Sequence, residues 1–523
     1  MPSKHQTGTT RSGRRLVWFA AALSGIVAAA VFLAIAELAA LLFARGSSPL
    51  LTVGSFVIDI VPRWAKEFAI ETFGGNDKIF LLVSLGVAVV IAAAIAGVLQ
   101  QIRPPLGVVV LIAAGVFAGA TTVTRAGATP LAVVPVILGL AAGVVILILL
   151  SRRLPKRAAN GSDDERAAFD RRGFFRVAGI AAAGAVVVGV GARLVNVTTS
   201  SITAVRDALK LPAPKSTVTI PDGAEADVDG LSPLFTPNDK FYRVDTALTV
   251  PTVDPATWTL TIDGMVGEQV QITFEELLAM GLDEYVITMT CVSNEVGGNL
   301  LGNAKWLGVP VRDVLKRAMP DSKADMVLST SVDGFTASTP IESLTDPNLD
   351  AILAVAMNGE PLPLEHGFPV RMVVPGLYGY VSATKWLTKL TVTTFDKDEA
   401  YWTPRGYDAK APIKLSSRID TPRIDKQLPA GPAKIAGVAW AQTVGIAKVE
   451  VSIDNGDWQS VNLTTAINDD TWVQWWMDWE ATAGTHYVAV RATDKAGNLQ
   501  IEEQAPIAPN GSSGWQRTLV RVG

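Results

Sequence analysis

The chain has 523 residues, of which 49% are hydrophobic and 18% are charged, and its formal net charge at pH 7 is −4. With a mean hydropathy of +0.32 it is too apolar for a fully soluble protein, and its apolar residues concentrate before residue 200. The single cysteine, Cys291, excludes an intrachain disulfide and a Cys-x-x-Cys metal site. We therefore expect a membrane protein with a soluble half and, since no nucleic-acid motif is present, no nucleic-acid partner.

Five apolar stretches within residues 1–195 are candidates for membrane-spanning helices, each of which needs roughly 20 residues. They are residues 16–43, 79–99, 106–123, 131–150 and 177–195. Basic residues in the N-terminal tail and after the fourth stretch predict that both segments are cytoplasmic. Because the number of spans is odd, we expect a multi-pass protein of the cell membrane whose soluble part is extracytoplasmic.

A second signal lies immediately before the fifth span. Residues 170–176, Asp-Arg-Arg-Gly-Phe-Phe-Arg, resemble a twin-arginine export signal placed inside the chain. Alternatively, Arg171 and Arg172 are ordinary positive-inside anchors. Both interpretations predict the same topology.

The predicted spans carry few groups capable of chemistry. The histidines are His5, His366 and His486, all outside the spans, so a haem held between two histidines is excluded there. Glu37 is the exception among nearly uncharged spans, and we interpret it as a polar contact between helices. We therefore expect the bundle to serve as an anchor or docking unit. A quinone-binding pocket within it remains an alternative.

The soluble region divides into three predicted parts. Residues 196–229 form a proline-bearing linker without clear periodicity. Residues 230–400 mix alternating stretches such as 258–263 with helical signals, including a capping box at Thr273–Glu276, and indicate an α+β domain. Residues 401–523 carry short alternating strands separated by turns, which is typical of an immunoglobulin-like β-sandwich.

Cys291 is the candidate reactive group. A lone cysteine is most often a small buried hydrophobe. Five ordered blocks change that expectation, because together they resemble the molybdopterin-dependent sulfite oxidase family. They are Phe241–Asp245, Cys291–Asn294, Asn303–Leu315, Met357–Gly376 and Lys385–Trp386. Residues 417–422 and 437–440 resemble that family's C-terminal sandwich, which often mediates dimers, so a homodimer is possible.

The resemblance implies a molybdenum–molybdopterin cofactor (Moco) with Cys291 as the protein's metal ligand and a catalytic residue, a role that suits a soft thiolate. It implies that the anionic pterin is bound by residues of the other blocks, since guanidinium and ammonium groups suit phosphate. By position in the motifs these are Phe241, Tyr242, Arg243, Asp245, His366, Arg371 and Lys385, with Asn294 and Asp313. Arg243 is also a catalytic candidate, and Asp313 could instead serve its own helix.

Two departures from the family concern the substrate. Sulfite oxidases carry a tyrosine beside the metal where this chain has Phe335, which cannot make a phenol's hydrogen bond, so we expect different proton handling at this catalytic position. They also carry a substrate-binding arginine in a tryptophan run. Aligned on Trp476 and Trp479, that place is taken by Met477, although a short gap could shift the register. Loss of this cation disfavours sulfite as the substrate.

We found no haem-attachment motif, iron–sulfur cysteine set or flavin fingerprint, so electrons must pass through a separate carrier, a cytochrome or a quinone. The sequence thus predicts a membrane-anchored extracytoplasmic molybdenum oxidoreductase performing two-electron oxygen-atom transfer on a small molecule. One alternative is a reductase of sulfoxide-type substrates. An alternative of another class is a cofactor-free binding or assembly module on the same fold.

Overall fold

The computed structural model describes residues 11–43, 48–61, 77–124, 130–155, 171–195, 199–424 and 426–523. The chain divides into two compact units, of which the first comprises Met1–Ser200 with Ala247–Thr249 and the second comprises Ser201–Thr246 with Val250–Gly523. Several basic residues used to predict the topology, and Asp170 of the twin-arginine-like segment, lie outside the described residues. The basic residues are Lys4, Lys156, Arg157 and Arg166.

The first unit is helical in its described parts. Its α-helices are α1 (Arg11–Phe43), α2 (Pro49–Ile60), α3 (Asp77–Ile102), α4 (Leu106–Val123), α5 (Val134–Ser151) and α6 (Arg171–Val195). Among the residues that the structure describes, five segments are long and apolar enough to cross a membrane, which agrees with the predicted number of apolar helices. They are Arg15–Phe43, Phe80–Ile102, Leu106–Val123, Leu131–Ser151 and Arg171–Gly189. Glu37 accepts a hydrogen bond from the Ser48 hydroxyl, just before α2, rather than from a neighbouring span.

Glycines allow α1 and α3 to pack backbone against backbone. A Cβ atom at Gly97 would overlap the carbonyl oxygen of Ala21, and one at Gly25 would overlap that of Ala93. Small residues are what permit such close approach between membrane helices, where lipid supplies no hydrophobic force for association. Because glycine has no side chain, the close crossing of α1 and α3 depends on Gly25 and Gly97 themselves.

Gly97→Val is expected to destabilise the helical unit by about 1–3 kcal/mol, since the new side chain meets backbone that cannot move aside. Thermal unfolding of the detergent-solubilised full chain measures the effect. The matched control is Gly86→Val on the same helix, because a Cβ at Gly86 meets nothing within 4 Å. Equal effects of the two substitutions would contradict the proposed close crossing.

Two sheets form the first part of the second unit. One has the order β2-β1-β10-β5-β6 and the other β3-β4-β7-β8, with β9 paired to β7. The strands are β1 (Thr259–Gly264), β2 (Val270–Thr273), β3 (Asp283–Thr290), β4 (Leu301–Pro310), β5 (Met326–Ser331), β6 (Thr336–Pro340), β7 (Ile352–Met357), β8 (Glu360–Pro361), β9 (Arg371–Val373) and β10 (Leu387–Thr393). The pairing of β1 with β10 is parallel, and the other pairings are antiparallel.

Short helices join these strands. They are α7 (Thr199–Ala208), α8 (Phe274–Ala279), α9 (Val311–Lys316), α10 (Ile341–Thr345) and α11 (Gly379–Ser382). The predicted capping box opens α8, where the Thr273 hydroxyl accepts from the Glu276 amide at 3.2 Å. Helix α7 was not predicted. It lies within residues 196–229, which were predicted to be a linker without periodicity, and it ends before the prolines of that segment. Within the apolar run 368–374 only Arg371–Val373 pairs as a strand, and Pro369 has no N–H to donate to a ladder.

The remainder of the second unit is made of two four-stranded antiparallel sheets, with orders β11-β12-β16-β15 and β14-β13-β17-β18. Their strands are β11 (Ser416–Thr421), β12 (Gly431–Trp440), β13 (Ile446–Ile453), β14 (Gln459–Ser460), β15 (Asn462–Leu463), β16 (Val473–Ala481), β17 (Gly484–Asp494) and β18 (Gln516–Val522). Both sheets contribute to one apolar cluster around the fully buried Trp475. The immunoglobulin type of this arrangement stays a prediction.

Candidate active site

A cleft with about 930 Å³ of empty space, partly open to solvent, lies where several strand ends meet in the second unit. Cys291 follows β3, Phe335 lies in the turn between β5 and β6, and Lys385 precedes β10. Sequence-predicted residues that line the cleft are Phe241, Tyr242, Asp245, Cys291, Phe335, His366, Arg371 and Lys385. The fold thus brings side chains separated by up to about 140 positions in sequence to one cavity.

Cys291 begins a tight loop at the end of β3. Its amide donates to the Leu300 carbonyl at 2.9 Å, and its carbonyl accepts from the Asn294 amide at 3.0 Å. The side chain is partly exposed. Burial nevertheless raises the thiol pKa, opposed by hydrogen bonds from Ser293. In the free chain this sulfur is therefore a protonated thiol at neutral pH, and a metal must displace the proton to bind it.

Asn294 shapes this loop rather than lining the cleft. Its Oδ1 accepts from the Leu300 amide at 2.8 Å, and its carbonyl accepts from the Ser512 hydroxyl at 2.7 Å. The buried Arg418 of the sandwich donates from Nη1 to the Gly298 carbonyl at 2.9 Å. Residues of the C-terminal sandwich thus hold the cysteine loop in place. Nothing in the local sequence of Ser512 or Arg418 indicated this contact.

Another part of the cleft lining is cationic. The buried Arg371 donates from Nη1 to the His366 carbonyl at 3.2 Å, and its guanidinium carbon lies 5.3 Å from the centroid of the Trp306 ring. Its Nε is buried and has no hydrogen-bond partner among the described residues. Burial lowers the Arg371 pKa to about 10, so the group stays charged at neutral pH. A charged, incompletely paired guanidinium is suited to an anion from outside the chain.

Lys385 extends this cationic end. Its Nζ donates to Asp245 Oδ2 at 2.7 Å and to the Glu365 carbonyl at 3.1 Å, and burial lowers its pKa to about 8. Arg243 does not line the cleft. Its side chain is 37% exposed and donates from Nε to the same Asp245 oxygen at 2.9 Å, so it orients Asp245 instead. Asp313 is exposed in the first turn of α9 and does not line the cleft either, which fits its alternative role in its own helix.

His366 lies beside Arg371 as a neutral donor. Its Nε2–H donates to the Asn238 carbonyl at 3.1 Å, since a carbonyl can only accept. Burial, and then the charge of Arg371, lower the His366 pKa to about 4. The imidazole is therefore neutral at pH 7, so the cationic character of this end comes from Arg371 and Lys385.

His366→Gln is expected to remove a pH dependence of stability from the cofactor-free full chain. The folded-state pKa lies below the unfolded value of 6.5, so the contribution of His366 is complete above pH 6.5 and is lost as the pH falls to about 4. The wild type should lose up to about 3 kcal/mol more than the variant over this window. Unfolding at pH 7 and pH 4.5 measures the difference.

The matched control for this prediction is His486→Gln. A hydrogen bond from the partly buried His486 to Asp454 raises the pKa of this histidine, so its contribution is present at low pH and is lost as the pH rises. The two substitutions should therefore change the pH slope in opposite directions. Slopes of the same sign would contradict the assignment of His366 as a histidine held neutral by burial.

Aromatic rings form the remaining wall of the cleft. Phe335 is partly buried, and its ring centroid lies 5.8 Å from that of Tyr401. Tyr242 also lines the cleft, and burial raises the pKa of its phenol well above its usual value. Sequence reasoning missed the wall residues Asp333, Tyr380, Trp402 and Tyr407, because no family motif quoted for the site includes them.

Met477 does not lie at the substrate site, where the alignment on Trp476 and Trp479 had placed it. Its side chain is 9% exposed and packs in the apolar cluster between the two sandwich sheets, so it does not stand in the cleft in place of an arginine. The register drawn through Trp476 and Trp479 therefore does not align this position with a substrate site. Among the described residues that line the cleft, Arg371 is the only arginine.

The donor set fits a pterin-borne metal. No group of three or more His, Cys, Asp or Glu side chains among the described residues could hold a metal ion alone. The described His, Cys, Asp and Glu side chains thus do not complete the coordination of a metal at Cys291, whereas a pterin-borne metal would bring further ligands with it. The unsatisfied Nε of Arg371 and the buried ammonium of Lys385 fit that molecule's anionic group.

Comparisons with known proteins agree with this donor set. The model of a family described as oxidoreductase molybdopterin binding domain matches residues 247–402. Mitochondrial sulfite oxidase of Mus musculus is 29% identical over 339 residues, which are 55% of this chain and 62% of the mouse protein. An NADH nitrate reductase of Solanum lycopersicum is 27% identical over 318 residues, which are 49% of this chain and 35% of that protein.

Among solved structures, the sulfane dehydrogenase SoxCD of Paracoccus pantotrophus matches with a TM-score of 0.49 and 22% identity, covering 58% of this chain and 86% of that chain. The chain spans less than two thirds of the length of the mouse relative.

Proposed function

Since residues 247–402 are a molybdopterin-binding oxidoreductase domain of the sulfite oxidase family, we propose that the chain performs two-electron oxygen-atom transfer on a small molecule at a molybdenum centre ligated by Cys291. The observation that carries this proposal is the convergence of the only cysteine with Arg371 and Lys385 on one cleft. A structural thiol would have no reason to face an incompletely paired guanidinium across a cavity.

The cofactor, when bound, supplies the two-electron chemistry. Cys291 Sγ would provide the protein's ligand to its metal, and Arg371 with Lys385 would hold its phosphate. Asp245, ion-paired with Lys385 at 2.7 Å, would orient that ammonium for the phosphate. The neutral His366 packs edge-to-face against Phe241, with ring centroids 5.7 Å apart, and contributes no charge to the phosphate site.

Tyr242 is the hydroxyl candidate for contact with the substrate. Phe335 has no polar atom, whereas Tyr242 lines the same cleft as Cys291 and Arg371. Because burial raises the pKa of this phenol, its hydroxyl stays protonated at neutral pH and would donate a hydrogen bond to a bound oxygen-containing substrate. This assignment replaces the role that a tyrosine at position 335 would have had.

The setting of the enzyme follows from the first unit. We propose a multi-pass protein of the cell membrane with its catalytic domain on the extracytoplasmic side, supported by the five apolar helices and the basic residues of the cytoplasmic segments. Electrons would pass to or from a separate cytochrome or a quinone. The C-terminal sandwich would support a homodimer.

A second candidate is reduction of a sulfoxide-type substrate. Two observations favour it over sulfite oxidation: Phe335 replaces the phenol, and the arginine that lines the cleft is Arg371, which the cofactor would engage. An uncharged sulfoxide needs no additional cation in its pocket, whereas a sulfite dianion does.

Metal and pterin analysis of the purified full chain, together with steady-state assays, tests the proposal. We expect about one molybdenum and one pterin per chain, and turnover with either sulfite and an artificial electron acceptor or methionine sulfoxide and an artificial donor. Stoichiometric cofactor excludes the cofactor-free module. A folded chain without molybdenum or pterin, from a host that makes the cofactor, would contradict the proposal.

A further inference from the structure

One wall of the cleft is made of aromatic rings and a carboxylate. We call Phe335, Tyr380, Trp402, Tyr407 and Asp333, which all line the cavity, the aromatic wall. The centroids of Trp402 and Tyr407 lie 5.3 Å apart, and those of Tyr407 and Tyr380 lie 5.5 Å apart. The Tyr380 hydroxyl donates to the Asp408 carbonyl at 2.6 Å, which fixes the ring at its polar end.

Asp333 gives this wall its charge. Its Oδ1 accepts from the Phe335 amide at 3.2 Å, so the carboxylate is tied to the turn that carries the phenyl ring. It makes no ion pair with any described residue and is only partly buried. A carboxylate held beside aromatic faces, without a cation of its own, is suited to a positive ligand.

The balance of charges over the whole cleft points the same way. Among the described residues, the charged side chains that line it are Asp245, Asp333, Arg371 and Lys385. Asp245 is already paired with Lys385 and with Arg243 just outside the cleft, and both lining cations belong to the part proposed for the pterin phosphate. Once an anionic cofactor engages these cations, the charge that the chain itself leaves for the substrate is the Asp333 carboxylate.

We propose that the aromatic wall binds a small organic cation, an ammonium group carried by the substrate of this enzyme. The statement that this cation is the substrate rests on the proposed function. The existence of the cation-binding site does not. Ring faces attract cations through their quadrupoles, Trp most strongly, and the Asp333 carboxylate adds a Coulomb term. Phe335 fits this role because a phenyl ring offers its face without an acidic hydroxyl.

Binding of tetramethylammonium to the detergent-solubilised full chain tests the proposal. Its neutral comparison compound is tert-butyl alcohol, which has a similar shape and no charge. Saturation-transfer NMR of the methyl protons gives both affinities. We expect tetramethylammonium to bind about 3- to 30-fold more tightly, the range that cation–π contacts provide. Sulfate should not displace it.

Two variants locate the site. Asp333→Asn keeps the acceptor for the Phe335 amide and removes the charge, and Trp402→Leu removes the largest ring, so each should weaken tetramethylammonium binding about 3- to 10-fold. Tyr487→Leu is the control, because Tyr487 is 57% exposed and does not line the cleft. Circular dichroism checks that each variant is folded.

Equal affinity for the two probes, or unchanged affinity in both Asp333→Asn and Trp402→Leu, would overturn the cation site. The binding measurements are made on both cofactor-loaded and cofactor-free protein. If the chain lacks molybdopterin yet binds tetramethylammonium at Trp402, the proposed function fails and the cation site stands. If the chain is loaded and shows no preference for the cation, only the substrate inference fails.

Discussion

Cys291→Ser is expected to lower turnover by at least about a hundredfold, since even partners that merely orient metal ligands contribute 10- to 100-fold. A hydroxyl is a poor substitute for a soft thiolate at such a metal. The variant should still retain pterin, because Arg371 and Lys385 are unchanged. Steady-state rates normalised to pterin content, measured with whichever substrate the wild type turns over, give the result.

Cys291→Ala provides the comparison for this experiment, because the chain has no second cysteine to serve as a control. If the sulfur acts as a ligand, the serine and alanine variants are similarly inactive. If the position matters only for packing, a small apolar alanine restores much of the activity. Full activity per pterin in either variant would contradict the role assigned to Cys291.

Arg371→Met is expected to have opposite effects on cofactor content and on the stability of the cofactor-free chain. The substitution removes the guanidinium that would bind the phosphate, so the pterin content should fall at least about tenfold, which corresponds to a loss of about 1.4 kcal/mol. It also removes a buried charge whose Nε has no described partner. The cofactor-free variant should therefore gain about 1–3 kcal/mol of stability.

Pterin fluorescence after release, and thermal unfolding of protein from a host that cannot make the cofactor, measure these two effects. Arg312→Met is the control, because Arg312 is a partly buried arginine outside the cleft whose Nη1 donates to the Leu349 carbonyl. It should leave the cofactor content unchanged. Loss of stability in cofactor-free Arg371→Met would show that this arginine is structural.

Much of the site was accessible from the sequence because its residues lie within compact motifs. The spacing between His366 and Arg371 is short. A turn of 3₁₀ helix carries His366 into the cleft, and the start of β9 carries Arg371 there. The position of Cys291 directly after β3 was not predicted, because the second half of β3 is buried on both faces and shows no alternation. The five apolar helices followed from length and composition alone.

The rest depended on contacts distant in sequence, which no local pattern encodes. Trp402 and Tyr407 reach the cleft from a segment that sequence reasoning assigned to the sandwich. Arg418 reaches the carbonyl of Gly298 across 120 positions. Arg243 carried the expected motif, yet two donors compete for Asp245, and the exposed guanidinium remains outside the cleft while Lys385 lines it.

X-ray absorption at the molybdenum edge tests the central claim most directly, because it counts the sulfur atoms bound to the metal. The account predicts that the wild type binds one more sulfur than Cys291→Ser, with the pterin content unchanged. The same sulfur count in both proteins would show that the metal is held without the Cys291 thiolate and would contradict the account.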